Sequence, residues 1–165
     1  MKYYKLDHTI EDLAFATKDS ACFDLRAYIS QDKNIVGYNV RNDESSFRPG
    51  PKQTLCIRPA YRVLIPTALI FDIPFGYSVR LHSRSGLALR SGLMLSNGEG
   101  VIDSDYVEEV KVILYNSSHA DVYIQHGDRI CQAELVQKLD YEMIEIKEPP
   151  AIKTDRAGGF GSTGE

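Results

Sequence analysis

No stretch of this 165-residue sequence is apolar for long. Its longest apolar runs fall far short of the ~20 residues that span a bilayer, so no membrane segment is expected. Residues 1–15 lack the basic-then-apolar order of a secretory signal, and a cytoplasmic protein is expected. Cysteine is scarce. Cys22, Cys56 and Cys131 are odd in number, far apart and include no CxxC pair. That pattern excludes a disulfide framework or zinc ribbon and leaves reduced, mostly buried thiols. The four histidines, His8, His82, His119 and His126, show no metal-ligand spacing and read as surface or core residues. Basic excess is also missing. With 19 Lys and Arg against 23 Asp and Glu, the formal net charge is −4, which argues against stable nucleic-acid binding. A small polyanion needs only a few converging arginines, and Arg84, Arg90, Arg129 and Arg156 are the candidates.

Helical periodicity is rare as well. Period-two alternation is common: at residues 54–59, at Tyr77, Val79 and Leu81, at Val110, Val112 and Leu114, at Val122 and Ile124, from Ile130 onward, and at residues 141–147. Short strands at this spacing predict an all-β fold, a jelly roll or β-barrel. One short helix is predicted over residues 85–90, and residues 9–16 add at most a turn. Residues 30–52, rich in Asn, Ser, Asp and Pro, read as a long surface loop with an extra hairpin near 35–40. That loop also offers a surface for a partner protein. The expected organisation is a β domain over residues 1–148 and a mobile, glycine-rich tail over 149–165, with Phe160 inside it as a ring in need of something to stack on.

The tail sequence Gly159-Phe-Gly-Ser-Thr-Gly164 spells GxGxxG. A dinucleotide fold needs a strand before it, a helix after it and an acidic residue about 20 positions on, and the sequence stops at Glu165. What remains is a run of unhindered N–H groups that can wrap phosphate oxygens. Three other segments are individually ordinary. Gly100-Val-Ile-Asp-Ser-Asp-Tyr106 reads as a polar turn, Ser85 as a helix N-cap, and Gly127-Asp128 as a hairpin turn.

Taken in order, the segments say more. Ala21-Cys-Phe-Asp-Leu25, Arg84-Ser-Gly-Leu-Ala88, Gly100-Val-Ile-Asp-Ser-Asp-Tyr106, Gly127-Asp-Arg-Ile-Cys-Gln132 and Arg156-Ala-Gly-Gly-Phe-Gly-Ser-Thr-Gly164 resemble the five motifs of the homotrimeric dUTP diphosphatase (dUTPase) family. The resemblance runs from about residue 20 to the C-terminus. It implies a dUTPase-like jelly roll that hydrolyses dUTP to dUMP and pyrophosphate with Mg²⁺. That reaction keeps uracil out of DNA and supplies dUMP for dTMP synthesis. The resemblance also implies a homotrimer whose active sites lie at subunit interfaces, each built from three chains.

Residue by residue, the resemblance makes Asp103 the base that orients and deprotonates water. An aspartate, ionised at neutral pH, can do this. Tyr106 matches the residue that packs on deoxyribose and uracil. Asn97 and the backbone of Gly100, Val101 and Ile102, in a hairpin, would read the uracil edge. Arg84, Ser85, Gly86 and Gln132 would hold phosphates. Asp24 matches the acidic residue near magnesium, acting through water, as suits an ion that keeps its waters. Arg156, Phe160, Gly161, Ser162 and Thr163 would close over the substrate. The sequence departs from the family pattern at Cys22, where Gly is usual, and at Val107-Glu108, where Arg-Gly is common. The last motif is one residue short, and the 30–52 connection is long.

Two alternatives stay open beside this reading. One is a dCTP deaminase of the same fold, which would carry a glutamate where this sequence has Ile113, a residue without acid–base capacity. The other is a nucleotide-gated regulatory module that uses the 30–52 loop.

Overall fold

The computed structural model describes residues 1–154. Among them, strands are short and antiparallel throughout, and each predicted alternating run from residue 54 to 137 forms one. β1 (Lys2–Lys5), β2 (Phe23–Arg26), β3 (Ile35–Tyr38) and β4 (Glu44–Phe47) come first. Then follow β5 (Thr54–Ile57), β6 (Arg62–Pro66), β7 (Leu69–Asp72) and β8 (Tyr77–Ser83). A single α-helix, α1 (Ser85–Ser91), leads to β9 (Leu93–Leu95), β10 (Glu99–Ile102), β11 (Lys111–Asn116), β12 (Val122–Gln125) and β13 (Arg129–Gln137). Among the described residues no helix is long and apolar enough to cross a membrane.

Two larger sheets form the body. One runs β10-β8-β13-β2 and the other β4-β3-β6-β11-β9, with pairs β1-β7 and β12-β5 closing the sides. Each strand buries alternate side chains. In β2, Phe23 and Leu25 are buried while Asp24 and Arg26 stay half-exposed, the pattern of a strand with one face on the core. Leu25, Val79 and Ala133 from the first sheet and Val63, Ile65 and Leu114 from the second belong to one continuous buried cluster. This is the expected all-β, jelly-roll-like fold.

The helix ends one residue later than predicted, at Ser91, and is capped by Gly92, whose φ of 66° is the left-handed conformation that glycine adopts most readily. Residues 30–52 are more than a loop. Their hairpin is β3 and β4, and β3 joins the five-stranded sheet through Gly37↔Val63 and Tyr38↔Arg62. A Cβ on Gly37 would stand 2.7 Å from the Arg62 carbonyl oxygen, so only glycine lets the strand approach.

Residues 9–16 add no more than a turn, where Ile10 N donates to the Asp7 carbonyl at 3.3 Å. Lys5 Nζ donates to the Ile10 carbonyl and Asp12 Oδ1, at 3.0 and 2.9 Å, and this ties the segment to β1 in irregular form. Residues 141–147 alternate like a strand but form none, and all are exposed. Alternation suits a strand only where an open edge accepts it, and here the chain leaves the sheet after Gln137. Lys138 N still donates to the Gly76 carbonyl at 2.8 Å.

Asn116 is the polar pivot of the core. It is fully buried. Its Nδ2 donates to the carbonyls of Ile57 and Ala120, both at 2.8 Å, while its Oδ1 accepts from Ser118 N and Oγ at 3.0 and 2.7 Å. Asn116→Ala strands these groups, at roughly 1–3 kcal/mol for each buried group left unpaired. The expected loss is about 3 kcal/mol, read as a lower urea midpoint with an unchanged slope.

Candidate active site

The first, second and fourth motifs meet at one end of the four-stranded sheet. Gln132 of β13 lies between Asp24 of β2 and His82 of β8. Arg84 follows β8 and caps α1 in extended conformation. Its Nε donates to Asp24 Oδ1 at 3.0 Å and its Nη1 to the Arg129 carbonyl at 3.2 Å. Arg129 Nη1 reaches Asp24 Oδ2 at 3.1 Å. One carboxylate, its side chain only 16% exposed, is thus shared by two guanidiniums. Arg90 stays on the helix, its Nη2 2.8 Å from where a Cβ on Gly86 would stand. Of the candidate arginines, Arg84 and Arg129 converge. Arg129 is the member that the motif pattern left out of the site, and its presence in Gly127-Asp-Arg129 was the available signal.

Ser85 is not the N-cap. Arg84 holds that position and no side chain caps the helix, so the exposed Ser85 hydroxyl is not spent on capping. The first helix N–H groups have no intrahelical acceptor either, because the first such bonds run from Leu87 and Ala88 to the Arg84 carbonyl, both at 3.0 Å. Beside them lies a cleft of about 270 Å³ lined by Arg84, Leu87, Ser91, Asp128 and Arg129. The cluster sets two guanidiniums and the first helix N–H groups beside two carboxylates, Asp24 and Asp128, and its donors suit an anion with several oxygens.

The Asp24 carboxylate fits the neighbourhood of a magnesium ion only at a distance, since both its oxygens already accept from arginine. An outer-sphere role through water is what this geometry admits.

The third motif sits elsewhere. Asn97 occupies a tight turn with Gly98, whose φ is 70°. This turn is not a hairpin. β9 belongs to the five-stranded sheet and β10 to the four-stranded one, so the turn carries the chain between sheets. Among the described residues β10 pairs only with β8, which leaves one backbone edge open there. Gly100 is buried there, and a Cβ would stand 2.9 Å from Leu81 Cβ. Val101 and Ile102 complete the strand. Asp103 follows, exposed, in a turn closed by Tyr106 N donating to its carbonyl at 3.2 Å. The Tyr106 ring is 40% exposed and its hydroxyl donates to the Glu109 carbonyl at 3.0 Å.

The two halves do not meet within one chain. Ile102 pairs with Val79, near the start of β8, while Arg84 follows its other end. Five residues at about 3.3 Å each separate them by about 17 Å along the strand. Arg156, Phe160, Gly161, Ser162 and Thr163 lie outside the described residues. Ile113 projects from β11 with 38% exposure.

The cysteines are all free thiols. Burial pushes the Cys131 thiol up to about 12, which keeps it protonated and unreactive. The histidines are not all idle. His126 Nδ1 accepts from Ile29 N at 3.2 Å, a core contact. His82 stands beside Cys22 and Glu134, a group that sequence spacing gave no hint of.

The dUTPase family model matches residues 51–164. The chain belongs to the dUTPase family. Over 138 residues it is 40% identical to the deoxyuridine 5'-triphosphate nucleotidohydrolase of Nautilia profundicola, which covers 83% of this chain and 95% of that protein. In fold it is similar to a variant of the Staphylococcus bacteriophage 80alpha dUTPase solved with dUpNHpp. The TM-score is 0.74 at 19% identity, covering 99% of this chain and 98% of that one. It is also similar to a dUTPase from phage phi11 of S. aureus described with a structural Mg(II) ion. There the TM-score is 0.70 at 18% identity, covering 91% and 98%. Family membership and fold are thereby established for this dUTPase-family chain, whereas each residue's role is a matter of its own chemistry.

Proposed function

We propose that this enzyme hydrolyses dUTP to dUMP and pyrophosphate, as its family membership supports, in a site assembled between chains of a homotrimer. The Asp24–Arg84–Arg129 knot with Gln132 beside it carries the reading. It gathers donors for a polyphosphate at one end of a rigid sheet. Arg84, Ser85, Gly86 and Gln132 hold the phosphates. Asp103 accepts a proton from water as its oxygen attacks the α-phosphorus. The α–β anhydride bond breaks and pyrophosphate leaves. The side chain of Asn97 and the open edge of β10 at Gly100, Val101 and Ile102 read the alternating donors and acceptors of uracil. Tyr106 packs beneath the deoxyribose, where a 2'-hydroxyl would be buried without a partner. Magnesium, when bound, would neutralise phosphate charge, and Asp24 is the residue that would hold it, through water.

The separation within one chain supports the trimer. A base must come within hydrogen-bond reach, roughly 3 Å, of the water it activates, and about 17 Å of strand lies between Asp103 and Arg84. A second copy supplying the third motif removes the conflict. Leu139, Met143, Ile144 and Ile152, between 75% and 93% exposed, form an apolar arm that needs a neighbouring surface. From the far end of that arm, Arg156 approaches the outer phosphate, Phe160 stacks on uracil, and Gly161, Ser162 and Thr163 donate to phosphate oxygens. Residues 149–165 act as the closing tail of the domain over 1–148. The β3–β4 hairpin offers its outer face to a partner protein. A cytoplasmic location fits the free thiols.

The test is a panel of dUTP, dCTP, dTTP and UTP with pyrophosphate detection, with and without Mg²⁺. Values of kcat/KM for the other three should fall at least about 100-fold below dUTP, because buried polar groups matched to uracil are left unpaired by the wrong base or sugar. Ratios within about tenfold, roughly 1.4 kcal/mol, would remove the pocket assignment. Ammonia release from dCTP would point to deamination instead.

A further inference from the structure

Beside the phosphate-holding Gln132, the outer face of the four-stranded sheet carries a second cluster, Cys22, His82 and Glu134, that the phosphate chemistry does not use. On this face, Glu99 of β10 pairs with His82 of β8 and His82 with Gln132 of β13. One row along the sheet, Arg80 pairs with Glu134. Cys22 precedes Phe23, which faces Ala133, and so arrives beside Glu134. Ligand atoms of Cys22, His82 and Glu134 lie within 4.8 Å of one another, all partly buried. His82 Nε2 and Glu134 Oε1 are 3.0 Å apart. Ligands on a tetrahedral zinc ion stand about 3.3–3.6 Å from each other, given bonds of about 2.0 Å to N or O and 2.3 Å to S. The pair now shares a direct hydrogen bond and needs to part by only a few tenths of an ångström to admit a metal, while the sulfur must close in.

We infer that Cys22, His82 and Glu134 form a site for a borderline transition-metal ion, with Zn²⁺ the fitting example, that joins β2, β8 and β13. The donor set decides the class of ion. One thiolate, one imidazole and one carboxylate suit zinc or cobalt, whereas magnesium and calcium take oxygen ligands. The surroundings complete the arrangement. The other ring nitrogen of His82, Nδ1, faces Glu99 Oε1 at 3.9 Å, and Glu99 is itself held by Arg80 Nη1 at 3.1 Å. A carboxylate behind a ligating histidine fixes its tautomer once it hydrogen-bonds the ring, and here a shift of about 1 Å brings Glu99 into that reach. Three protein ligands leave a fourth position for water. Glu99 is a positioning residue here, acting through His82. The inference stands independently of the proposed hydrolysis.

The test is titration of the chelator-stripped full chain with Co²⁺, followed by absorption. Saturation at about one Co²⁺ per chain is expected, with a thiolate-to-cobalt charge-transfer band in the near ultraviolet that added Zn²⁺ abolishes and excess Mg²⁺ does not. Cys22→Ser, a one-atom change, should remove the charge-transfer band, and Cys56→Ser should retain it. Glu134→Gln should abolish saturable binding, and Glu99→Gln should weaken it by roughly 10–100-fold. A circular dichroism spectrum matching the parent shows that each variant is folded. His82→Ala should likewise abolish saturable binding, and if it does not fold, Cys22→Ser alone decides. Absence of the band in the parent chain, or its persistence in Cys22→Ser, overturns the site.

Discussion

Asp103→Asn is expected to lower kcat for dUTP by about 10²–10⁴-fold, the usual contribution of a positioned base. The replacement keeps the shape of the side chain. It removes the negative charge and the capacity to take up a proton. The exposed position of Asp103, in a turn beyond the end of β10, means that the fold does not depend on this carboxylate. The thermal midpoint should therefore stay within the scatter of surface substitutions, about 0.5 kcal/mol. KM should change little, because the donors for phosphate lie at the other end of β8. A fall in kcat with unchanged KM and stability is the signature of a group that acts in the transition state. Near-parental kcat in Asp103→Asn would mean that another group activates water.

The second large effect is a gain. Arg84→Ala should be inactive for a different reason, since it removes a phosphate donor and leaves Asp24 with Arg129 as its remaining arginine partner. If each site takes Arg84 from one chain and Asp103 from the next, two inactive proteins can repair each other. Unfolding Arg84→Ala and Asp103→Asn together and refolding the mixture should restore activity. In random trimers with a head-to-tail arrangement, about one quarter of the sites receive an intact Arg84 and an intact Asp103. That is a rise of orders of magnitude over either variant refolded alone. If both residues serve one site from the same chain, every mixed site lacks one of them and the mixture stays inactive. The outcome thus separates an intersubunit site from an intrachain one without any structure of the assembly.

The strands between residues 54 and 137 were legible because alternation is local and the core accepts it there. The same rule misread residues 141–147, which alternate equally well. A strand is a pairing, and its partner is not written in its own sequence. Ser85 was legible as the start of the helix but was misread as its cap, because cap position depends on where the backbone bends. Here it bends at Arg84, whose side chain turns back to Asp24. Residues 97–102 looked like one hairpin because a turn joins two short strands. Only the assignment of β9 and β10 to different sheets reveals a crossing.

By itself, the sequence determined the fold class, the family and the roster of chemical groups, because those depend on residue types and their order. Five short motifs in register are enough to specify a family when none is specific alone. The tertiary structure decided which of those groups share a neighbourhood. It brought Asp24 to Arg84 and Arg129 across sequence separations of 60 and 105 residues. It set Glu134 against His82 across 52. It also kept Asp103 apart from Arg84, although their sequence separation is only 19 residues. The physical reason is sheet geometry. Antiparallel pairing places residues distant in sequence side by side, while a strand holds its own two ends rigidly apart.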